Sequence, residues 1–285
     1  MAVSTNRSDI ELPVEISKNI IQTIQEDSAV MKLSNSTPIP ARGMEIPVIL
    51  GDPDAYWVGE TEKIKVSNPT FEHRLVKPYK MGVIVPFSNE FRRDYDTLYN
   101  AVRSRLPRVL SKKFDNTCFG NEDAPGDGFD TLKSATTQDF ETDPYKAFVA
   151  ARSDISQNLY DCSGFLLSTQ AEDILLLYKD STGRPIFNGT ETSDVPRILS
   201  IPTLHSKAAY AKGTPNVLGF AGDWRYAEYG LVNAITINLS DQATLEYNGT
   251  TINLWQQDMF ALKCTMEVGF VAQVKAFNKL VGKVA

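Results

Sequence analysis

The side chains that carry most enzyme chemistry are few and far apart in this 285-residue chain. It contains two histidines, His73 and His205, and three cysteines, Cys118, Cys162 and Cys264. A zinc site needs cysteine and histidine ligands clustered at short spacing, and an odd number of widely separated cysteines argues against a disulfide framework. We therefore expect reduced, mostly buried thiols, no metal site and no bound cofactor.

Carboxylates are more numerous, but their spacing points to no reaction. Asn121, Glu122, Asp123 and Asp127 lie in the segment GNEDAPGDG, where they could hold a hard cation. The segment lacks the ligand spacing and the terminal bidentate glutamate of a calcium loop, so a solvated turn is the favoured interpretation. The chain also has no Gly-x-Ser-x-Gly elbow, no phosphate-binding Gly-Lys-Ser/Thr loop and no dinucleotide-binding glycine motif. The sequence therefore predicts a protein that is not an enzyme.

The charge balance argues against a protein whose main function is to bind nucleic acid. The formal net charge is −6, whereas a protein that grips the nucleic-acid backbone needs a basic surface. An acidic container that must not adhere to its nucleic acid fits this charge. One basic run could still touch phosphates, but its helix also carries aspartates, so a solvated or subunit-facing stripe is favoured. The run consists of Arg103, Arg105, Arg108, Lys112 and Lys113.

One strand-like stretch has too little apolar surface to be stable by itself. Two arms, Ala55–Val66 and Thr70–Val85, are joined by a turn signal at Ser67–Pro69. Charges populate both faces of the tip, and a lone two-stranded hairpin is marginal in water. We therefore expect a neighbouring subunit to bind this hairpin. The contact residues predicted for it are Trp57 at its base, Glu60, Glu62, Lys63, Lys65, Glu72 and Arg74.

The elements that must position this hairpin are long. Apolar residues at helical spacing, from Phe91 through Val109 to Phe114, predict a helix over Ser88–Phe119 with Ser88 as its N-cap and a kink at Pro107. Strict alternation of apolar and polar residues predicts a strand over Leu262–Ala276, about 50 Å long. Matching lengths indicate an elongated slab.

The N-terminal part has the pattern of a tether. Residues Glu15–Asp27 predict a short helix with an apolar face, formed by Ile16, Ile20 and Ile24. The prolines that follow, from Pro38 to Pro47, predict an extended arm. We expect this arm to contact another subunit.

The remaining chain alternates helix and strand and then becomes rich in strands. Helices are predicted after Asp143 and at Thr169, a buried strand at Cys162–Ser168 and a further strand at Arg197–Leu204. Asn248-Gly249 predicts a type I′ hairpin. No apolar run approaches the length of a membrane span, so we expect no membrane partner.

The order of several motifs resembles a known family. AYWVGE (Ala55–Glu60) is followed by VSNPTF (Val66–Phe71) and by KPYKMGVIVPFSNE (Lys77–Glu90), which opens the long helix. DSTGRPIF (Asp180–Phe187), IPTL and GDW (Gly222–Trp224) come later. This succession resembles the tailed-bacteriophage major capsid protein family, with its HK-ninety-seven-type fold, over nearly the whole chain.

The resemblance implies an elongated α+β fold with an N-terminal arm (1–50), an extended loop (51–87), a peripheral domain (88–142 and 240–285) and an axial domain (143–239). It implies a head protein that forms pentamers and hexamers of an icosahedral shell around double-stranded DNA, assembled in the host bacterial cytoplasm. Its partners would be copies of itself, a separate scaffolding protein, a portal and a decoration protein. Two alternatives stay open: an encapsulin-like shell enclosing cargo enzymes, and a cytosolic enzyme with an unrecognised site.

Some members of this family join their subunits covalently through a loop lysine, a partner asparagine and a catalytic glutamate. Lys63 or Lys65 could match the lysine, but Asp258 stands where asparagine is needed and Thr265 where the glutamate belongs. An aspartate cannot undergo the same ammonia-releasing exchange, and a threonine cannot act as a carboxylate base. We therefore expect no autocatalytic cross-links.

Overall fold

The computed structural model describes residues 28–51, 53–68, 70–94, 96–179, 183, 197–247 and 249–282. The described helices are α1 (Ala29–Leu33), α2 (Asn89–Asp94), α3 (Asp96–Cys118), α4 (Pro144–Gln157) and α5 (Thr169–Leu177). The described strands are β1 (Asn35–Ser36), β2 (Met44–Gly51), β3 (Thr70–Val76), β4 (Tyr79–Ser88), β5 (Thr136–Asp139), β6 (Gly164–Leu167), β7 (Arg197–Ile198), β8 (Ile201–His205), β9 (Val217–Gly222), β10 (Ala227–Ser240), β11 (Thr244–Tyr247), β12 (Thr250–Asn253), β13 (Met259–Ala272) and β14 (Phe277–Val281). The predicted α+β class is confirmed.

The longest strands form one sheet in the order β1–β10–β13–β4. β10 and β13 contain 14 residues each and run antiparallel, which at about 3.3 Å per residue makes each about 46 Å long. The predicted alternation of β13 is confirmed by its buried side chains, Leu262, Cys264, Met266, Val268, Phe270 and Ala272. The predicted end of the strand is wrong. β13 stops at Ala272, because Val274–Ala276 forms a short 3-10 helix that leads into β14 in another sheet.

The predicted long helix corresponds to α2 and α3. Ser88 Oγ accepts a hydrogen bond from the Phe91 amide at 3.1 Å, as expected of an N-cap. α3 contains 23 residues and continues through Pro107; a kink there stays a prediction. Val109 was expected in the core but is 52% exposed, because the buried stripe recurs every four residues and passes beside it. The stripe consists of Leu106, Leu110, Phe114 and Cys118.

α3 ends at the glycine-rich segment that the sequence singled out. The Asn121 amide donates to the Asn116 carbonyl at 2.9 Å and the Gly120 amide donates to the Thr117 carbonyl at 3.0 Å. Gly120 has a φ of 77°, so the helix ends in a Schellman motif, which needs a left-handed residue at this position. The next contact fixes the helix end to the second large sheet, because the Phe119 ring stacks on Phe220.

The second large sheet has the order β5–β14–β9–β6–β8–β7. α4 and α5 pack on one of its faces, and both predicted helix starts are confirmed: Asp143 accepts from the Lys146 amide and Ser168 from the Ala171 amide. The strand predicted over Arg197–Leu204 is two strands, β7 and β8, which pair antiparallel. They are joined by a two-residue turn at 199–200 in which both residues have positive φ.

The two large sheets divide the chain differently from the predicted domain ranges. β14 falls in the range 240–285 and β5 in the range 88–142, yet both lie in the sheet of α4 and α5. β10 begins within the range 143–239 and pairs along its length with β13. These ranges therefore stay predictions of functional parts, not of separate sheets.

Two hairpins extend from this framework. β11 and β12 pair around Asn248-Gly249, with Gly249 at a φ of 75°, which confirms the predicted hairpin. β2 pairs antiparallel with β3. The predicted first arm, Ala55–Val66, is therefore wrong, since Met44–Gly51 forms that strand. The second predicted arm is confirmed from Thr70 but is interrupted between β3 and β4.

The interruption changes which side chains face the core. In the sequence, Leu75 shares its parity with Tyr79, Met81, Val83 and Val85, which predicts one buried face for the second arm. Leu75 is nevertheless 41% exposed, whereas Val76 is 1% exposed. Lys77 and Pro78 lie outside both strands, so the alternation shifts by one residue between β3 and β4. The later members of the predicted face do pack on the core: Tyr79, Met81, Val83 and Val85.

Candidate functional site

The connection between β2 and β3 is an exposed loop, residues 53–68. No strand is assigned to these residues, and the chain reverses at Gly59–Glu62, where the Glu62 amide donates to the Gly59 carbonyl at 3.2 Å. The predicted turn at Ser67–Pro69 is therefore wrong. Ser67 instead closes the neck of the loop, because its hydroxyl accepts from the Asp54 amide at 2.8 Å.

The loop exposes apolar side chains as well as charges. Trp57 is 104% exposed, Ile64 76% and Val66 89%. Trp57 was expected at the base of the hairpin but lies in the loop, beyond the last strand pair. Three large apolar side chains exposed in one 16-residue loop are candidates for burial against a partner. The charged loop residues predicted as contacts are also exposed: Glu60, Glu62, Lys63 and Lys65.

Few contacts within the chain restrain the loop side chains. Lys65 Nζ lies 5.4 Å from the centroid of the Tyr56 ring, a cation–π contact that is weak at an exposed position. Glu62 Oε2 accepts from the Gly59 amide at 3.4 Å. These contacts shape the turn but bury little, as the sequence predicts for the tip.

Arg74 anchors the base of the hairpin to the main sheet. Its Nη1 donates to the Ala272 carbonyl at 3.0 Å and its Nη2 to Gln273 Oε1 at 2.7 Å. Asp130 Oδ2 lies 3.6 Å from Nη1 and accepts from the Ala272 amide at 3.1 Å. The guanidinium that was predicted to contact a neighbour is thus bound within its own chain, at the end of β13.

A buried carboxylate anchors α1. Asp115 Oδ1 accepts from the Ser28 hydroxyl at 2.5 Å, and Oδ2 accepts from the Ala29 amide at 2.8 Å. Burial raises the pKa of Asp115 to about 6, although these hydrogen bonds and the charge of Lys32 act in the opposite direction. Asp115 thereby fixes the first described residues, 28–33, on α3.

The sequence interpretation missed Asp115, and two of its contact predictions, for Glu72 and for the N-terminal isoleucines, stay predictions. Periodicity places Asp115 next to the apolar stripe of α3, but it does not identify Ser28 as the partner. Glu72 lies in β3, where its backbone pairs with Val48. The isoleucines of the predicted tether lie outside the described residues: Ile16, Ile20 and Ile24.

The acidic turn is engaged by lysines. Glu122 forms an ion pair with Lys113, and Asp123 Oδ1 lies 2.9 Å from Lys133 Nζ. The hydrogen bond and charge of Lys133 lower the pKa of Asp123. Among the described residues, no group of three or more histidine, cysteine, aspartate or glutamate side chains could hold a metal ion.

The cysteines are free thiols, as predicted. Cys118 and Cys264 are buried, and Cys162 is half-buried. Burial raises the pKa of Cys162 and of Cys264 to about 11, so these thiols stay protonated at neutral pH. In the part of the chain that the structure describes, no helix is long and apolar enough to cross a bilayer.

The residues of the covalent cross-linking pattern have other contacts here. Asp258 Oδ1 accepts from Asn89 Nδ2 at 2.7 Å, and the hydroxyls of Thr236 and Thr265 lie 2.7 Å apart. Lys63 and Lys65 are in the exposed loop. That no cross-link forms stays a prediction.

Comparison with known proteins identifies the class to which this fold and loop belong. Residues 10–282 match the Phage capsid family, and the chain belongs to that family. The major capsid protein of Staphylococcus phage 80alpha is 27% identical over an alignment 290 residues long, which covers 96% of this chain and 86% of that protein. The probable major capsid protein gp17 of Mycobacterium phage L5 is 27% identical over an alignment 299 residues long, which covers 94% of this chain and 88% of that protein.

Solved structures share the fold at lower identity. A chain from Gordonia phage Cozz has a TM-score of 0.77 at 19% identity, covering 90% of this chain and 87% of that one. The capsid of an empty GTA particle, computed with C5 symmetry, has a TM-score of 0.63 at 12% identity, covering 90% of each chain. Family membership gives this chain a structural role, self-assembly into a capsid shell of the virion.

Proposed function

We propose that this chain is the major head protein of a tailed phage and forms pentamers and hexamers of an icosahedral shell around double-stranded DNA. The observation that carries the proposal is the family match over residues 10–282. The curated relatives are named as major capsid proteins. The encapsulin-like alternative receives no support from these relatives.

The exposed loop supports a role in which the subunit is incomplete by itself. In a monomer, the apolar side chains of Trp57, Ile64 and Val66 are exposed to water. Burying such surface contributes about 25 cal/mol per Å² before ordering costs are deducted. A neighbouring subunit in a lattice offers that burial. We therefore retain Trp57, Glu60, Glu62, Lys63, Lys65 and Glu72 as intersubunit contacts and assign Arg74 to anchoring the hairpin.

We further propose roles for the N-terminal arm, for the two main parts of the subunit and for its assembly partners. The arm before Ser28, with Ile16, Ile20 and Ile24, would contact a neighbouring subunit. Residues 143–239 would gather around capsomer centres and the long sheet with α3 would form the periphery. A scaffolding protein, a portal and a decoration protein would complete assembly, which would take place in the bacterial cytoplasm.

Analytical ultracentrifugation of the purified chain, with electron micrographs of the fast fraction, tests this function. We expect closed particles in the megadalton range, formed by the chain alone or after a scaffolding protein is added. Nuclease-protected DNA in particles from infected cells would support the genome container, whereas protected enzymes and no DNA would support the nanocompartment. A chain that stays monomeric under all these conditions would contradict both.

A further inference from the structure

The middle of α3 exposes a row of basic side chains. Between Asp96 and Asp115 the sequence contains five basic residues and no acidic one. Three of them, Arg105, Arg108 and Lys112, are exposed and form what we call the basic stripe. At about 3.6 residues per turn and about 1.5 Å per residue, the stripe covers an arc of about 60° and a length of about 10 Å on the helix surface.

The aspartate that follows the stripe does not neutralise it. Asp115 is buried beneath α1, where its carboxylate accepts hydrogen bonds from the first amides of that helix. Among the described residues, no carboxylate forms an ion pair with Arg105 or Lys112. Lys32 on α1 is also exposed, and its charge acts on Asp115. The stripe is therefore a cationic surface on a chain with a net charge of −6.

The helix that carries the stripe covers one side of the second large sheet, and α4 covers the other. Phe119, which follows α3, stacks on Phe220 of β9. Phe148 of α4 contacts Phe165 of β6, and Phe165 pairs with Ala221, the residue next to Phe220. Because successive residues of a strand point to opposite faces of the sheet, α3 and α4 lie on opposite sides of the subunit.

These two sides differ in charge. On α4 and α5, the exposed Lys146 and Arg152 are accompanied by the exposed Glu172 and Asp173. The described side chains of α3 expose cations and no carboxylate. Double-stranded DNA carries one negative charge per about 1.7 Å of its axis, so about six phosphates lie along a stripe of about 10 Å. The α3 side is therefore the side whose charge is complementary to DNA.

A neighbouring protein surface fits the stripe less well. The buried cores of protein interfaces are depleted in charged residues, and burying several like charges is costly unless each one is paired. Among the described side chains of α3, the one large apolar side chain that is exposed is Val109. Phosphate contacts need no apolar partner, because the release of counterions from DNA supplies the free energy of binding.

We infer that the basic stripe of α3 faces the interior of the shell and contacts phosphates of the enclosed double-stranded DNA. This inference rests on the proposed function, because it names the surface of the subunit that meets the genome. The contact reads no base sequence and weakens as salt is added. Each subunit neutralises few phosphates, and the acidic remainder of the chain limits adhesion, so the contact is weak per subunit and is summed over the shell.

Acetylation of lysines, located by mass spectrometry, tests where the stripe lies. DNA-filled particles are compared with shells from which the DNA has been released. At low salt we expect Lys112 to react at least about threefold more slowly in filled particles, and the difference to decrease as salt is added. Lys146 on α4 is the control and should react equally in both.

Equal reactivity of Lys112 in filled and emptied shells would overturn the inference. If Lys112 reacts quickly in both, the stripe meets no DNA. If it reacts slowly in both but quickly in the unassembled chain, another protein surface covers it. Either result leaves the capsid function standing, whereas a chain that forms no closed particle would remove the function and the inference together.

A pair of charge-neutralising variants provides the second test. Arg105→Gln with Lys112→Gln should lower the temperature at which filled particles release their DNA on heating, because each subunit makes two fewer attractive contacts. Lys146→Gln with Arg152→Gln changes the net charge equally and should release DNA at the wild-type temperature. DNA-free shells of both variants should melt as wild-type shells do, which separates DNA contact from shell stability. Equal release temperatures in the two variants would contradict the inference.

Discussion

At the scale of single residues, Asp115 links folding to pH. Its pKa is about 6 in the fold and 3.8 in its ordinary state, so the folded chain binds a proton more readily than the unfolded chain. The contribution of this group is therefore most favourable below about pH 4 and is lost as pH rises through about 6. The shift corresponds to about 3 kcal/mol in the free energy of unfolding.

Asp115→Asn should remove this dependence. We expect the free energy of unfolding of the wild type, minus that of the variant, to decrease as pH rises from 4 to 6. The reason is that only the wild type acquires a buried charge in this range. Urea unfolding of the unassembled chain at steps of pH measures it. Asp123→Asn is the control, since the pKa of Asp123 is lowered from its ordinary 3.8, so its difference should change mainly below pH 4 and stay nearly constant from pH 4 to 6. A difference independent of pH at Asp115 would contradict the assignment.

Trp57 and Trp224 should separate assembly from folding. Trp57 is fully exposed, so Trp57→Ala should change the unfolding free energy by less than about 0.5 kcal/mol and yet reduce particle yield. Trp224 is 3% exposed and its indole donates to the Gly164 carbonyl, so Trp224→Ala should cost about 3–5 kcal/mol. Thermal melts and particle counts on both variants make the comparison. Normal assembly of Trp57→Ala would remove the tryptophan from the interface.

At the scale of elements, Arg74 determines how firmly the hairpin is held. Arg74→Ala removes hydrogen bonds to Ala272 and Gln273, each worth about 1.5–3 kcal/mol for a charged donor. We expect faster amide exchange over β2 and β3, with the exchange of β13 unchanged. Lys80→Ala is the control, because its ion pair with Glu267 spans 3.9 Å at a mostly exposed position and contributes little. Equal exchange in both variants would show that Arg74 is no anchor.

Elements with strong periodicity were predictable, and those held by distant partners were not. The alternation of β13 and the capping signals of α4 and α5 are local, so the sequence reveals them. The pairing of Met44–Gly51 with β3 is not local. Pro47 argues against a strand in the sequence, yet these residues pair with β3 as an antiparallel strand. The two-residue interruption at Lys77-Pro78 likewise shifts the buried side, which a single uninterrupted pattern cannot indicate.

The candidate site was predictable in place but not in geometry. The crowd of charges around Lys63 and Lys65 marks the exposed loop, because such a segment buries little. Ile64 and Val66 were overlooked since they stand alone among charges, and Arg74 was assigned to a neighbour because its acceptors, Ala272 and Gln273, lie about 200 residues away in the chain. Contacts at such separation have no local signal.

At the scale of the whole molecule, the loop charges should influence assembly in a salt-dependent way. Reversing Lys63 and Lys65 to glutamate replaces any attraction at the interface by repulsion, which salt screens over about 10 Å at 0.1 M. We expect particle yield to fall most at low salt and to recover as salt is added. Reversal of Lys207 and Lys212, both exposed, changes the net charge equally and is the control. The same salt profile in both variants would exclude ion pairs at the loop tip.

A cryo-electron microscopy reconstruction of particles recovered from expression of the wild-type chain with its assembly partners would show where the loop lies in the shell. We expect a closed icosahedral shell in which residues 53–68 of each subunit are buried against a neighbouring subunit. Particles in which this loop contacts only its own subunit, or a chain that forms no closed shell, would contradict this expectation.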